Sequence, residues 1–162
     1  MPDPNIELLP KETLKRMIEN APETKLFRSL FVRYQDSGAV KDVCNDGEYS
    51  CAFFVSSLLT LAGYLERPHA TVAGLRAKLL ELQFEKIENA EDAQPGDVIF
   101  WDKIVFDDGS FNEHVGFASK NGNAVSTSFK KQMVVEHDFA LPGGAGEEKR
   151  EITLMLRPPD RG

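Results

Sequence analysis

The most apolar stretch of the chain runs from 50 to 65 and predicts a helix that is buried on most of its sides. Apolar residues fill nearly all of SCAFFVSSLLTLAGYL, and only Ser56, Ser57 and Thr60 form a narrow polar strip. A helix that is apolar around most of its circumference is surrounded by other elements rather than by water. At roughly fifteen residues it is too short to span a bilayer.

The start of this helix carries the first candidate for chemistry. Ser50 is placed to cap the helix, and Gly63 suits its C-terminal end. Cys51 therefore falls in the first turn, where unpaired backbone N–H groups and the helix dipole favour a thiolate and lower the pKa of a thiol. The residues of the helix alone fit a reactive cysteine and a small buried core cysteine equally well.

The helical pattern recurs on both sides of this stretch. Residues 11–20 place their apolar side chains on one side and their charges on the other, and 72–83 repeat the pattern after Thr71, a favourable N-cap. Residues 23–34 fit a helical face, while 30–34 fit a strand before a turn equally well.

The chain changes character after a Pro-Gly turn at 95–96, where short segments predict strands. These segments are 97–102, 114–119, 124–128, 133–136 and 151–156. Helices followed by antiparallel strands predict an α+β fold with its helices on one side of the sheet. We expect one domain over 1–162, with a loose tail at 1–9 and a helix and loop extension at 10–48.

Composition argues against several classes of partner and site. The net charge is −7 and no Lys/Arg run exceeds two residues, so nucleic acid and anionic membranes are not expected as partners. The polar N-terminus has no secretory signal, which predicts a cytoplasmic protein unless another export route exists. The spacing of Cys44 and Cys51 predicts neither a metal site nor a disulfide scaffold. No membrane span is expected, and the oligomeric state is left open.

A cysteine nucleophile needs a base, and the base needs a third group that orients it. Of the three histidines, His69 lies in a loop with the character of plain surface. His137 ends a strand between charged residues. His114 opens a strand, and Gly116 leaves space on the same face. We therefore consider His114 the first candidate for the base, although a strand-end histidine without a role gives the same pattern.

The turn after this strand decides which hydroxyl lies beside His114. A three-residue turn at 120–122 pairs Gly116 with Ser126 and puts Ser126 on the His114 face. A two-residue Asn-Gly turn pairs Gly116 with Thr127 and brings Thr127 next to the imidazole instead. The glycine that ends the turn favours the first register.

Three motifs together resemble a known family. SCAFFV opens the buried helix, PGDVIFW forms the next strand, and HVGFASKNG begins the hairpin. This order is similar to that of the NlpC-type cysteine peptidases of the papain-like superfamily, over roughly 49–135. The CHAP-type amidases share the same order and are the near alternative. The resemblance implies a papain-like NlpC-type fold in which the helix that carries the cysteine packs on an antiparallel sheet.

The resemblance also implies roles for individual residues. Cys51 would be the nucleophile, His114 the base and Ser126 the orienting third residue, with Thr127 or His137 as alternatives in the third role. No cofactor and no metal is implied. The surroundings of the substrate and its oxyanion are expected at three further positions, Tyr49, Ser50 and Gly116.

Two departures from the family keep other functions open. The family usually has Asp-Cys-Ser where this chain has Ser50-Cys51-Ala52, and a serine orients a base more weakly than a carboxamide or an imidazole. The leading hypothesis is a thiol-dependent hydrolase of peptide or amide bonds that acts through a Cys51 thioester, with short peptidoglycan peptides as substrate. The alternatives are an acyltransferase or cytosolic (iso)peptidase on the same fold, and a catalytically silent binding module.

Overall fold

The computed structural model describes residues 3–105, 107–144 and 146–161, in which helices precede an antiparallel sheet. The helices are α1 (Pro10–Asn20), α2 (Cys51–Leu61) and α3 (Val72–Glu81). The strands are β1 (Phe31–Arg33), β2 (Val40–Asp42), β3 (Glu85–Lys86), β4 (Val98–Val105), β5 (Phe111–Ala118), β6 (Asn123–Ser128), β7 (Met133–Asp138) and β8 (Ile152–Arg157). Six of them form one sheet in the order β3-β8-β4-β5-β6-β7, while β1 pairs with β2. The predicted α+β class is confirmed.

Helix α2 packs on one face of the large sheet because its apolar side chains meet those of β5 and β6. Phe54 is fully buried, and its ring meets that of Phe117 edge to face, with 5.9 Å between the centroids. Four side chains of α1 and α3 belong to the same core, Leu14, Ile18, Leu75 and Leu79. The expectation that this helix is largely buried is therefore met.

The helix boundaries and caps differ in detail from the sequence expectation. Helix α2 ends at Leu61, earlier than the apolar stretch, because the chain turns there. The Ser50 side chain does not cap α2, since its hydroxyl donates to the carbonyl oxygen of Gly47 at 3.2 Å instead. Thr71 does cap α3 by accepting a hydrogen bond from the backbone N–H of Gly74 at 3.1 Å. No helix in the described ranges is long and apolar enough to cross a membrane.

The predicted strands are all present, but β4 and β5 extend further into the segment expected to be a loop. Strand β4 continues past a bulge to Val105, and β5 already begins at Phe111. His114 is therefore the fourth residue of its strand and does not open it. The sequence does not indicate this extension because the segment is rich in polar residues, and β3 is too short to show the alternation typical of a strand. In the ambiguous segment 23–34 the strand alternative is confirmed, since Phe31–Arg33 form β1 and no helix is present over 23–34.

The face of the sheet turned away from the helices holds a second, smaller cluster around Trp101. The Trp101 side chain is fully buried, and its indole N–H donates to the carbonyl oxygen of Phe139 at 2.7 Å. This bond ties the segment after β7 to the sheet. Side chains alternate along a strand, so Phe117 faces the helices while His114 and Gly116 share the face with Trp101.

Candidate active site

Cys51 is the first residue of α2 and is almost completely enclosed, with 5 % of its surface exposed. Its thiol donates to the carbonyl oxygen of Glu113 in β5 at 3.9 Å. Burial raises the pKa of the Cys51 thiol, while backbone hydrogen bonds from Val115 and Ala52 and the positive charge of Arg150 act in the opposite direction. The lowered pKa expected from the helix terminus is therefore corrected, because removal from water outweighs the dipole at this closed end.

His114 lies on β5 with 6 % of its surface exposed. Its ring packs beside that of Trp101, with 5.6 Å between the centroids, and its Nε2 lies 2.9 Å from the hydroxyl oxygen of Ser126. Burial lowers the pKa of His114 well below its usual value, and the positive charge of Arg150 and any protonation of His137 lower it further. The imidazole is thus neutral at pH 7 and can accept a proton.

Cys51 and His114 line the same small cavity, together with residues of β5, β6 and three loops. The cavity measures about 10 Å³, which is room for about one water molecule. The carbonyl oxygen that accepts the hydrogen bond from the Cys51 thiol belongs to Glu113, the residue that directly precedes His114. The fold therefore brings the first turn of α2 and the middle of β5 to one enclosed point.

The hairpin between β5 and β6 has the register predicted for a three-residue turn. Ala118 pairs with Ala124, and the turn contains Asn121 and Gly122 at φ 61° and 71°. Ser126 consequently lies opposite Gly116. A Cβ atom at Gly116 would stand 2.7 Å from the Ser126 Cβ, so only glycine allows this close approach of the two strands.

Ser126 contacts a second imidazole in addition to that of His114. Its hydroxyl oxygen lies 2.6 Å from His137 Nε2 and accepts a hydrogen bond from the Gly143 backbone N–H at 3.2 Å. His137 Nδ1 lies 2.7 Å from the carbonyl oxygen of Asp138. The sequence offered Ser126, Thr127 and His137 as alternatives, but the structure places Ser126 and His137 in series. Thr127 lines the small cavity.

The three residues expected around the substrate occupy different surroundings. Tyr49 is half exposed and borders, with Cys51, a cleft of about 310 Å³. Ser50 is buried, and its hydroxyl donates a hydrogen bond to the preceding loop. Gly116 lies instead against Ser126, on the side of the imidazoles. Ala70, Val72, Phe111 and Asn112 are among the other residues that border the cleft.

Sequence reasoning missed Arg150, which lines the small cavity together with Cys51. Its guanidinium donates to the carbonyl oxygen of Asn112 at 3.0 Å, and its Nε is buried without a partner among the described residues. Burial lowers the pKa of Arg150, an effect that the charges of Cys51 and Glu147 oppose. An arginine in a charged loop has the pattern of a solvated surface, so no local signal pointed to this position.

Comparison with solved structures identifies the fold. The chain is similar to NlpC2 from Trichomonas vaginalis, with 16% identity, a TM-score of 0.54 and coverage of 96% of this chain and 48% of that chain. It is also similar to NlpC1 from Trichomonas vaginalis, with 18% identity, a TM-score of 0.52 and coverage of 95% and 46%. No family model and no curated protein matches the chain.

These structures confirm the predicted NlpC-type fold, with the cysteine-bearing helix packed on an antiparallel sheet. Identities below one fifth of the residues concern the fold alone. The chain spans about half the length of the solved structures that it matches. What the site does must therefore be argued from its own residues.

Proposed function

We propose that the chain is a thiol-dependent hydrolase of amide bonds in short peptides, with Cys51 as nucleophile and His114 as base. The observation that carries this proposal is that a cysteine in the first turn of a buried helix and a neutral buried imidazole line one cavity. The NlpC-type fold supports the same class of chemistry. Short peptides of the bacterial cell wall are the substrates that the motif resemblance implies.

The reaction starts from a neutral thiol and a neutral imidazole. Because Nε2 of His114 is engaged with Ser126, Nδ1 is the ring nitrogen left to accept the thiol proton. The Cys51 sulfur attacks the carbonyl carbon, the proton moves to Nδ1, and His114 then delivers it to the departing amine. Water, deprotonated by His114, hydrolyses the thioester to a carboxylic acid and restores the thiol. Unpaired N–H groups in the first turn of α2 stabilise the oxyanion.

The substrate enters through the cleft beside Tyr49, since the small cavity has room for about one water only. A cleft of about 310 Å³ is at the lower end of the sizes typical of small-molecule sites, which fits a few residues of an extended peptide. Three acidic side chains line the adjoining opening, Glu48, Asp107 and Asp108. This charge favours a substrate that presents a free amine to the solvent side of Tyr49.

The test is to incubate the full chain with soluble cell-wall peptide fragments and to weigh the products by mass spectrometry. Hydrolysis adds one water per bond broken, whereas transfer joins the acyl fragment to another amine. Cys51→Ala should abolish the reaction. Cys44→Ala is the matched control and should retain it, because Cys44 is a fully buried core residue outside the cavity. Activity that survives in Cys51→Ala would overturn the proposal.

Thiol alkylation separates an enzyme from a silent binding module without knowledge of the substrate. Iodoacetamide should label Cys51 faster than Cys44, since burial and the charge of Asp42 raise the pKa of the Cys44 thiol to about 12. His114→Ala should slow the labelling of Cys51 alone. Equal slow labelling of both cysteines would identify Cys51 as a core residue.

A further inference from the structure

We infer that His137 is a positioning residue that determines which ring nitrogen of His114 carries the proton, and that it acts through Ser126. The inference deepens the proposed function, on which it rests, because it takes Nδ1 of His114 to be the base for Cys51. The contacts that carry it form a continuous chain from His114 to the backbone carbonyl of Asp138.

The hydroxyl of Ser126 is the centre of this chain, and its bonding capacity is limited. A serine hydroxyl has one proton to donate and two lone pairs that accept. The N–H of Gly143 occupies one lone pair, at 3.2 Å. One donor and one acceptor site remain for two imidazoles, which lie at 2.9 Å and 2.6 Å. One ring must therefore donate to Ser126 and the other must accept from it.

The Asp138 carbonyl determines which imidazole donates to Ser126 and which accepts from it. A carbonyl oxygen can only accept, so His137 Nδ1, 2.7 Å away, carries a proton. In a neutral His137 the other nitrogen, Nε2, is then bare and accepts the Ser126 hydroxyl proton. Ser126 must accept in turn from His114 Nε2, which leaves Nδ1 of His114 without a proton.

The outcome depends on a neutral His137, and its surroundings favour that state. The side chain is 7 % exposed, and burial lowers the pKa of His137, although the Asp138 carbonyl and the charges of Asp138 and Glu136 oppose this. From the neighbouring elements it faces His114 across Ser126 and the uncharged ring of Trp101, 5.7 Å between centroids. A charged His137 would donate from both nitrogens, force Ser126 to donate to His114, and invert the tautomer.

Further contacts of Asp138 and Trp101 support this series of hydrogen bonds. The Asp138 carboxylate accepts the backbone N–H groups of Ala140 and Leu141, at 2.8 Å and 3.1 Å, which starts the turn that carries Gly143 to Ser126. Trp101 packs beside both imidazoles, with 5.6 Å and 5.7 Å between the ring centroids. A lone serine can donate to His114 or accept from it and therefore sets no tautomer. The second histidine accepts the Ser126 hydroxyl proton, so that Ser126 must accept from His114.

The experiment reads the tautomer directly by NMR of the ring nitrogens in the full chain labelled with ¹⁵N-histidine, at neutral pH. In the wild type, His114 should carry its proton on Nε2. In His137→Leu the freed Ser126 hydroxyl should donate to His114 instead, so that the Nδ1-protonated form becomes a large fraction. His137→Gln keeps an acceptor near the lost Nε2 and should restore the original tautomer. His69→Leu, at the histidine outside the chain of contacts, should change nothing.

Iodoacetamide labelling of Cys51 gives the second readout. It should fall up to about tenfold in His137→Leu, the size expected from one neutral hydrogen bond, and recover in His137→Gln. Protonation of His114 on Nδ1 in the wild type would overturn the inference, even if the leucine variant fails to fold. An unchanged tautomer in a folded His137→Leu would overturn it too. The predicted tautomer with an unreactive Cys51 would support the inference and reject the proposed function instead.

Discussion

The two faces of the large sheet are built on opposite principles. On the face toward the helices, side chains such as Phe54 and Phe117 are buried without any polar partner, and their contribution follows from the apolar area removed from water. On the other face, His114, Ser126 and His137 are also buried, but each of these polar side chains needs hydrogen-bond partners for its donor and acceptor atoms.

This difference separates stability from chemistry. Burial on the helix face is non-directional and tolerates exchange among apolar residues of similar volume. A hydrogen bond on the other face adds only about 1 kcal/mol net, yet a group left unpaired there costs about 1–3 kcal/mol. The first face stabilises the fold, while the second controls where a proton resides.

The largest effect should come from the helix face. Phe54→Ala removes a fully buried ring from α2 and should lower the free energy of unfolding by about 3–5 kcal/mol. Urea unfolding followed by circular dichroism measures this. Phe53→Ala is the matched control, since the adjacent Phe53 is only partly buried and should cost clearly less. Similar losses at the two positions would contradict the assignment of the core to this face.

The helix face is also the part of the fold that could be predicted from the sequence. Its apolar residues repeat with the period of a helix or alternate along a strand, so the pattern itself reports burial. Thr71 marked the start of α3, and the turn glycine selected the correct register for β5 and β6. The ends of β4 and β5 were misjudged because polar residues on an exposed strand resemble a loop.

The polar face could be predicted only in part, because its contacts join distant segments. The hairpin brings Ser126 to His114 locally, but the place of His137 depends on how β7 pairs with β6. Two of the groups that hold Ser126 and His137 are backbone atoms, the Gly143 N–H and the Asp138 carbonyl, which carry no residue signature. The raised pKa of the Cys51 thiol follows from enclosure, which a helix position does not reveal.

The second prediction concerns pH and contrasts the two faces, since the polar face carries two buried histidines. Burial lowers the pKa of both His114 and His137, so the folded chain keeps them neutral while the unfolded chain takes up protons below about pH 6.5. The unfolded state then binds more protons, and the free energy of unfolding falls as the pH drops from 7 to 5.5. The limiting slope is about 1.4 kcal/mol per pH unit for each histidine.

Urea unfolding at several pH values measures this slope. A variant with both His114→Gln and His137→Gln should show a flatter dependence above pH 5.5, where carboxylates contribute little. His69→Gln, at a partly exposed histidine, is the control and should change the slope less. An equal slope in the wild type and in both variants would show that burial does not lower the pKa values of His114 and His137.

The smallest effect should come from Ser126→Ala, and it sharpens the contrast most, since it removes a single oxygen. Nε2 of His114 then loses its acceptor, and the rate of the Cys51 reaction should fall by up to about tenfold, or about 1 kcal/mol in the barrier. Ser128→Ala is the matched control on the same strand, because Ser128 is also buried and its hydroxyl oxygen accepts from the Lys131 backbone N–H at 3.1 Å. Its rate should stay unchanged. An equal loss in both variants would mean that strand packing, rather than the bond to His114, is what the serine supplies.

If Ser126→Ala is silent while His137→Ala is strongly impaired, the two histidines are coupled by another route. If Ser126 alone matters, the serine holds the imidazole by itself and the second histidine is only part of the packing around Trp101.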